Sequence, residues 1–366
     1  MAHLEDYILL NMVDGLGFKK LESLLKFYAE PSRILNAPKD ELAAIEGVGD
    51  VVAGKITALK KKELDRELKL MDKRGVYAIS VFDPNYPQNL KNSYSPPIVI
   101  YVRGEIKPED ADAVALVGSR MPSHYGIATC ERLGSDLASR GITVVSGMAR
   151  GIDTAAHTGA LRSGRTIAVL GSGLNQIYPP ENKKLADEIC GRGAVISEFS
   201  MNTPPNRFNF PRRNRVISGL SLGVIVIEAG EKSGALITAN FALEENREVF
   251  AVPGRIDSKV STGTNNLLKE GAKLVERAED IIEEIQSSLK YYNEGREKAK
   301  EESAASDVHL TGEEKMMKNL LSYDPIYIDE LAQKSNMSVD MVASLLVRLE
   351  IKNLIKELPG KNFILK

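Results

Sequence analysis

Val114-Ala115-Leu116-Val117-Gly118-Ser119-Arg120 is a run of four apolar residues that stops on a glycine, a serine and an arginine. A short apolar run closed by a turn signal reads as a strand buried on both faces. The same figure recurs at Ile142–Val145, Ile167–Leu170, Val195–Ile196, Val224–Ile227 and Val249–Val252, with helical patterning in the gaps. From about 112 to 280 the chain therefore alternates strand and helix. That alternation predicts an α/β fold with a mostly parallel, Rossmann-like sheet covered on both faces. Several runs end in small residues: Gly118-Ser119, Ser146-Gly147, Gly171-Ser172-Gly173. Ligands of such sheets gather at the carboxyl ends of the strands.

Working outward, residues 75 to 103 are turn-rich, with Asp83-Pro84-Asn85-Tyr86-Pro87 before a strand-like Ile98–Val102. The α/β domain is expected to span 75–284. Residues 1–74 repeat apolar positions at helical spacing (Leu21, Leu24, Leu25, Tyr28), broken at Gly15-Leu16-Gly17 and Gly47-Val48-Gly49. They read as a small all-helical domain. A polar stretch from 285 to 308 reads as a linker. Residues 309–366 run helix, helix, helix, hairpin, the order of a winged helix.

The 366 residues carry a net charge of -2, so a nucleic-acid site has to be a local patch. The patch is easy to find. From Phe199 to Ile227 there is no acidic residue, and Arg207, Arg212, Arg213 and Arg215 fall inside it. Arg207-Phe208-Asn209-Phe210-Pro211-Arg212-Arg213-Asn214-Arg215 sets guanidinium groups among aromatic rings. Guanidinium pairs with phosphate and a phenylalanine face stacks on a base, which suits single-stranded nucleic acid. Pro211 is expected to hold Phe210 extended and outward. The bland alternative pairs Arg213 and Arg215 with Glu198 or Glu228, the nearest carboxylates on either side. The winged-helix segment offers no such patch, since eight basic residues balance eight acidic ones from residue 310 on. A protein-contact or auxiliary role suits it better.

The strand-end loops add phosphate-suited groups: Gly118, Ser119 and Arg120; Ser146 and Gly147; Gly171; and Ser233 with Gly234 at a helix start. Tyr178 either stacks on a base or plugs its loop. Asp153 and His157, four apart on one helical face, form either a catalytic pair or a structural contact, the structural one being favoured. The N-terminal G-x-G turns resemble helix-hairpin-helix elements, with Lys19, Lys20 and Lys55 flanking them. The two cysteines make no metal or redox spacing, and their number suits a reducing compartment. The N-terminus lacks signal-peptide character, and the longest apolar stretch is too short for a bilayer.

Taken together, Gly118-Ser119-Arg120, Ser146–His157, Gly171–Pro180, Phe210–Arg215, Val226–Thr238 and Ala251–Gly254 with Gly263-Thr264-Asn265 resemble the DNA-processing protein A family (DprA, also called Smf). The resemblance implies an extended Rossmann domain that binds and protects single-stranded DNA. It implies help in loading the RecA recombinase during natural transformation, a homodimer through the α/β domain, and a cytoplasmic place. Under it Gly118, Ser119 and Arg120 hold phosphate, while Arg207, Phe210, Arg213, Asn214 and Arg215 complete a groove. No enzyme activity, cofactor, metal or membrane partner is expected. The competing reading is a nucleotide-processing enzyme or sensor of the lysine-decarboxylase-like group. It is weakened because the helix after Ser233-Gly234 has no carboxylate until Glu244. A dinucleotide-dependent oxidoreductase is weakened by the missing G-x-G-x-x-G.

Overall fold

The computed structural model describes residues 3–290, 311–322, 325–352 and 354–365. The chain divides into two compact units, Met1–Glu294 and Gly295–Lys366. Residues 291–308 of the expected linker at 285–308 lie outside the described residues. Its first residues close the helix Ala278–Ile285 and form the short turn Gln286–Ser288.

The first unit is built on a nine-stranded sheet, in the order β1-β2-β6-β5-β4-β3-β7-β8-β9. Its strands are β1 Val76–Ser80, β2 Val99–Gly104, β3 Ala113–Val117, β4 Thr143–Ser146, β5 Thr166–Val169, β6 Ala194–Ser197, β7 Gly223–Val226, β8 Glu248–Ala251 and β9 Lys273–Leu274. Strands β6 to β9 are parallel across the whole middle of the sheet. Strand β2 runs antiparallel to β6 and β1 antiparallel to β2, so β2 alone runs against the rest as the two extend the sheet beyond β6. Every residue of β3 is buried, as a central strand covered on both faces requires.

Six helices between Leu4 and Arg74 precede the sheet. Their apolar residues, among them Leu10, Leu21, Leu24 and Met71, share one core with Val99, Tyr101, Leu170 and Val195 of the sheet face. Stacked Tyr7 and Phe82, with Phe18 tilted against Phe82, add an aromatic join. No described helix is long and apolar enough to cross a membrane.

In the second unit, helices Gly312–Asn319, Ile328–Ser335 and Val339–Ile351 pack on a small sheet of β10 Ile326–Tyr327, β11 Ile355–Leu358 and β12 Asn362–Leu365. Leu331, Leu345, Leu349, Ile355 and Phe363 fill its core.

Candidate nucleic-acid interface

Strand β3 lies between β4 and β7, so the crossovers leave it in opposite directions. This is the topological switch point of the sheet, where the loops part and leave a crevice. The loops are laced at its floor. Ser119 N–H donates to Glu228 O at 2.7 Å, and Ile152 N–H donates to Ser119 O at 3.1 Å. A Cβ on Gly118 would lie 2.7 Å from Ile152 Cγ1 and 2.9 Å from Glu228 O, so only glycine fits between the loops.

Two cavities open here. The larger, about 690 Å³, is lined by Gly118, Ser119 and Arg120 on one side, and by Arg207, Phe210 and Asn214 on another. Lys232, Ser233 and Gly234 close it, bringing the start of the helix Gly234–Glu244 to its wall. Ser233 caps that helix, accepting from Ala235 N–H. The smaller recess, about 40 Å³, lies among Gly147, Gly171, Tyr178 and Phe210. Arg120, Phe210 and Arg213 line both.

Phe210 is the hinge of the arrangement, and its backbone corrects an expectation. The helix Asn209–Leu220 begins one residue before it, so Phe210 is helical and not extended. Pro211 falls in the first turn, where a missing N–H breaks no helical bond, and the helix start overrides the usual pre-proline restriction. The half-buried ring still reaches the crevice. Arg120 lies 5.0 Å above its centroid, and Tyr178 is tilted against it at 6.0 Å. It rests on Gly171, whose absent Cβ would sit 2.9 Å from the ring.

Arg213 has a different role from the one expected. It is buried, at 5% exposure. Its Nη1 donates to the carbonyls of Gly147 and Val169, and its Nε donates to Asn214 Oδ1 at 3.0 Å. Asp153 faces it. Burial pulls the Arg213 pKa down and Asp153 holds it up, while burial raises Asp153 and Arg213 opposes the rise. A guanidinium committed to these partners is a bolt joining the ends of β4 and β5 to the helix Asn209–Leu220. Asn214 extends the bolt, donating to Gly234 O at 3.2 Å.

Three more expected residues stand apart from the crevice. Ser146 is fully buried and donates to Leu116 O at 2.6 Å. Arg215 pairs with Glu198 at 2.5 Å and also donates to Ser95 O. Arg212 lies 3.5 Å from the same carboxylate and 4.8 Å over the Phe199 ring. Both arginines line a separate cavity on the other face of their helix. Glu228 pairs with neither: it accepts from Ser123 N–H at 2.8 Å and Ser123 Oγ at 2.5 Å, anchoring the start of the helix His124–Ser139.

Asp153 and His157 have separate partners. Asp153 accepts from Ala149 N–H at 3.2 Å. Thr166 Oγ1 gives its proton to Val144 O, so the His157 Nδ1–H donates to Thr166 Oγ1 at 2.7 Å. Burial, then Arg213, push the His157 pKa down to about 3, so the ring is neutral and structural. Lys232 and Ile237 were missed from the sequence. The signal for Lys232 was its place one residue before a helix cap. Among the described residues there is no metal-type cluster.

A family model described as DNA recombination-mediator protein A matches residues 77–286, and one described as the DprA winged helix domain matches 301–361. Protein Smf of Escherichia coli is 38% identical over 310 residues, covering 84% of this chain and 82% of that protein. The DNA processing protein DprA of Bacillus subtilis is 38% identical over 280 residues, covering 74% and 92%. Among solved structures, DprA from Streptococcus pneumoniae superposes with a TM-score of 0.67 at 36% identity, over 76% of this chain and 97% of that one. The Helicobacter pylori DNA processing protein A, solved for its single-stranded DNA binding mode, gives 0.53 at 31% identity, over 58% and 96%. With the sheet, the switch-point crevice and the winged helix all in place, the chain belongs to the DNA recombination-mediator protein A family.

Proposed function

We propose that the crevice binds single-stranded DNA with little sequence preference. On this reading the chain is a non-catalytic cytoplasmic mediator that protects the strand and passes it to the RecA recombinase. One observation carries the reading: the Phe210 ring lies under Arg120 and against Tyr178, at the junction of two cavities. A base stacks on such a ring while Arg120, Arg207, Lys232 and the start of the helix Gly234–Glu244 face its phosphates. The Helicobacter pylori relative supports the choice of ligand. A mediator suits the crevice better than an enzyme, because Asp153, its lining carboxylate, is committed to Arg213. The homodimer belongs to the same proposal. Fully exposed Ile256, in the loop after β8, and half-exposed Leu274 of the edge strand β9 are apolar surface for it to bury.

A base stacked on Phe210 has to leave a duplex stack, so single strands are expected to bind at least tenfold more tightly, about 1.4 kcal/mol. Fluorescence anisotropy at one fixed salt concentration checks this, and equal affinity for duplex sinks the proposal. Phe210→Ala is expected to weaken single-strand binding about five-fold to a hundred-fold, the range for one lost stacking platform of roughly 1–3 kcal/mol. Its melting temperature is expected to hold within a few degrees, because the ring is only half-buried. A loss of about 3–5 kcal/mol in stability, as for a core phenylalanine, with unchanged affinity would place the ring in the core instead.

A further inference from the structure

Residues 198–208 join β6 to the helix Asn209–Leu220 without regular structure of their own. This arm brings Arg207 to the wall of the larger cavity. It also sets where the helix that bears Phe210 begins. The arm is held by the helices that precede the sheet, to which the crevice reading gives no task.

Three ties hold it. Asn11, at the end of the helix Leu4–Asn11, donates from Nδ2 to Glu198 O at 3.0 Å. Glu67 Oε1 accepts from Met201 N–H at 2.7 Å. Arg74 Nε donates to Asn175 Oδ1 at 2.8 Å, and Asn175 Nδ2 passes the contact on to Asn202 Oδ1 at 2.7 Å. The Met201 side chain is fully buried in the core that these helices share with the sheet. Of the three ties, that of Glu67 is the least expected from packing. It shares a face of the helix Lys61–Arg74 with Leu64 and Met71, and all three are buried. Packing on that face is better served by leucine, since a buried carboxylate costs free energy unless it is bonded. Burial accordingly raises the Glu67 pKa, and the Met201 N–H opposes the rise. The carboxylate does what an apolar side chain cannot: it fixes one backbone N–H of the arm.

Beyond Met201 the arm is stiff. Gly173 N–H donates to Thr203 O at 2.9 Å, and Pro204-Pro205 follow. Each proline fixes its own φ and keeps the residue before it extended, so Thr203 to Pro205 act as a short semi-rigid spacer. Asn206 then closes a turn onto the helix. Its Oδ1 accepts from Phe208 N–H at 3.1 Å, and its carbonyl accepts from Asn209 N–H at 2.9 Å. Arg207 lies inside that turn, so the place of its backbone follows from that of Met201.

We propose that Glu67 is a positioning residue for DNA: through Met201 and the diproline spacer it holds Arg207 where a phosphate of the strand passes. The helices before the sheet thereby preorganise the crevice without touching the ligand. The role presupposes the crevice as the DNA site.

Glu67→Leu tests it in the full chain. Leucine keeps the apolar packing of the face and drops the acceptor. Single-strand affinity, read by anisotropy, is expected to fall about five-fold or more, and the log–log salt slope by about 0.7, as when one phosphate contact is lost. Glu67→Gln keeps a carbonyl acceptor for Met201 N–H and should bind like the wild type. In an Arg207→Ala background, Glu67→Leu should cost nothing further, because the contact it misplaces is already gone. Pro204→Gly with Pro205→Gly loosens the spacer at two exposed positions and leaves the tie intact. That variant should bring the same loss, and it decides the matter should Glu67→Leu not fold.

A folded Glu67→Leu chain that binds with wild-type affinity and slope overturns the positioning role and leaves the crevice standing. Unaltered binding by the diproline variant does the same. So do losses from Glu67→Leu and Arg207→Ala that simply add, since the tie would then act elsewhere than through Arg207. An Arg207→Ala chain that binds like the wild type also overturns it. If the wild type itself binds no single strand, the crevice reading falls, and the role of Glu67 with it.

Discussion

Replacing Arg213 by alanine is expected to cost about 3–5 kcal/mol of stability, the range for removing one partner of a buried charge pair. The substitution leaves Asp153 buried without its cation and takes the donor from the carbonyls of Gly147 and Val169. Against a typical total of roughly 5–15 kcal/mol, much of the folded population at elevated temperature would be lost. Adding Asp153→Asn removes the stranded charge and should return part of the loss. Urea unfolding of the two variants checks both statements through the shift in midpoint at constant slope. A loss under about 0.5 kcal/mol, the size of an ordinary surface substitution, would show that water replaces the guanidinium and that the bolt is not structural. Any DNA-binding defect of Arg213→Ala should accordingly be corrected for the unfolded fraction before it is read as a lost contact.

Arg120→Glu is expected to weaken single-strand binding at least a hundred-fold, about 2.8 kcal/mol, with no comparable loss of stability. The exposed Arg120 side chain lies over Phe210 and lines both cavities, so it is placed to meet a phosphate and frame a stacked base at once. A charge-assisted hydrogen bond is worth about 1.5–3 kcal/mol, and reversal adds repulsion. Titration at several salt concentrations should show the log–log slope reduced by about 0.7 or more. An unchanged slope in a folded variant would mean that Arg120 only supports the ring.

The sheet was legible because its strands are buried on both faces. Each apolar run expected between 114 and 252 matches a strand to within a residue or so. The three helices and the hairpin of the winged helix were equally clear. Strand β9 is two residues long and exposed, and so left no apolar signal. The arginine window gathers the cationic residues but does not show which of them face the crevice. That depends on helix phase. Phe210, Asn214 and Ile217 recur at helical spacing on the crevice face, while Asn209, Arg212 and Arg215 fall three apart on the other. Without knowing that the helix begins at Asn209, and with Pro211 arguing for an extended start, the phase could not be set. Partners remote in sequence were equally hidden: Arg213 finds carbonyls of two other loops, and Glu228 finds Ser123.

The central place of β3 also governs how the chain comes to be folded. Ala115 finds one neighbour soon, Val145 of β4, but the other, Val224 of β7, is made only after roughly a hundred further residues have been synthesised, so this pairing has a high contact order. Until then an entirely apolar strand has one row of N–H and C=O groups open in what will be the middle of the sheet. An open apolar strand edge is a template for pairing with other chains. Fragments that end before β7 are therefore aggregation-prone, and the switch-point crevice, whose walls include the loops after both β3 and β7, forms only once β7 has paired with β3.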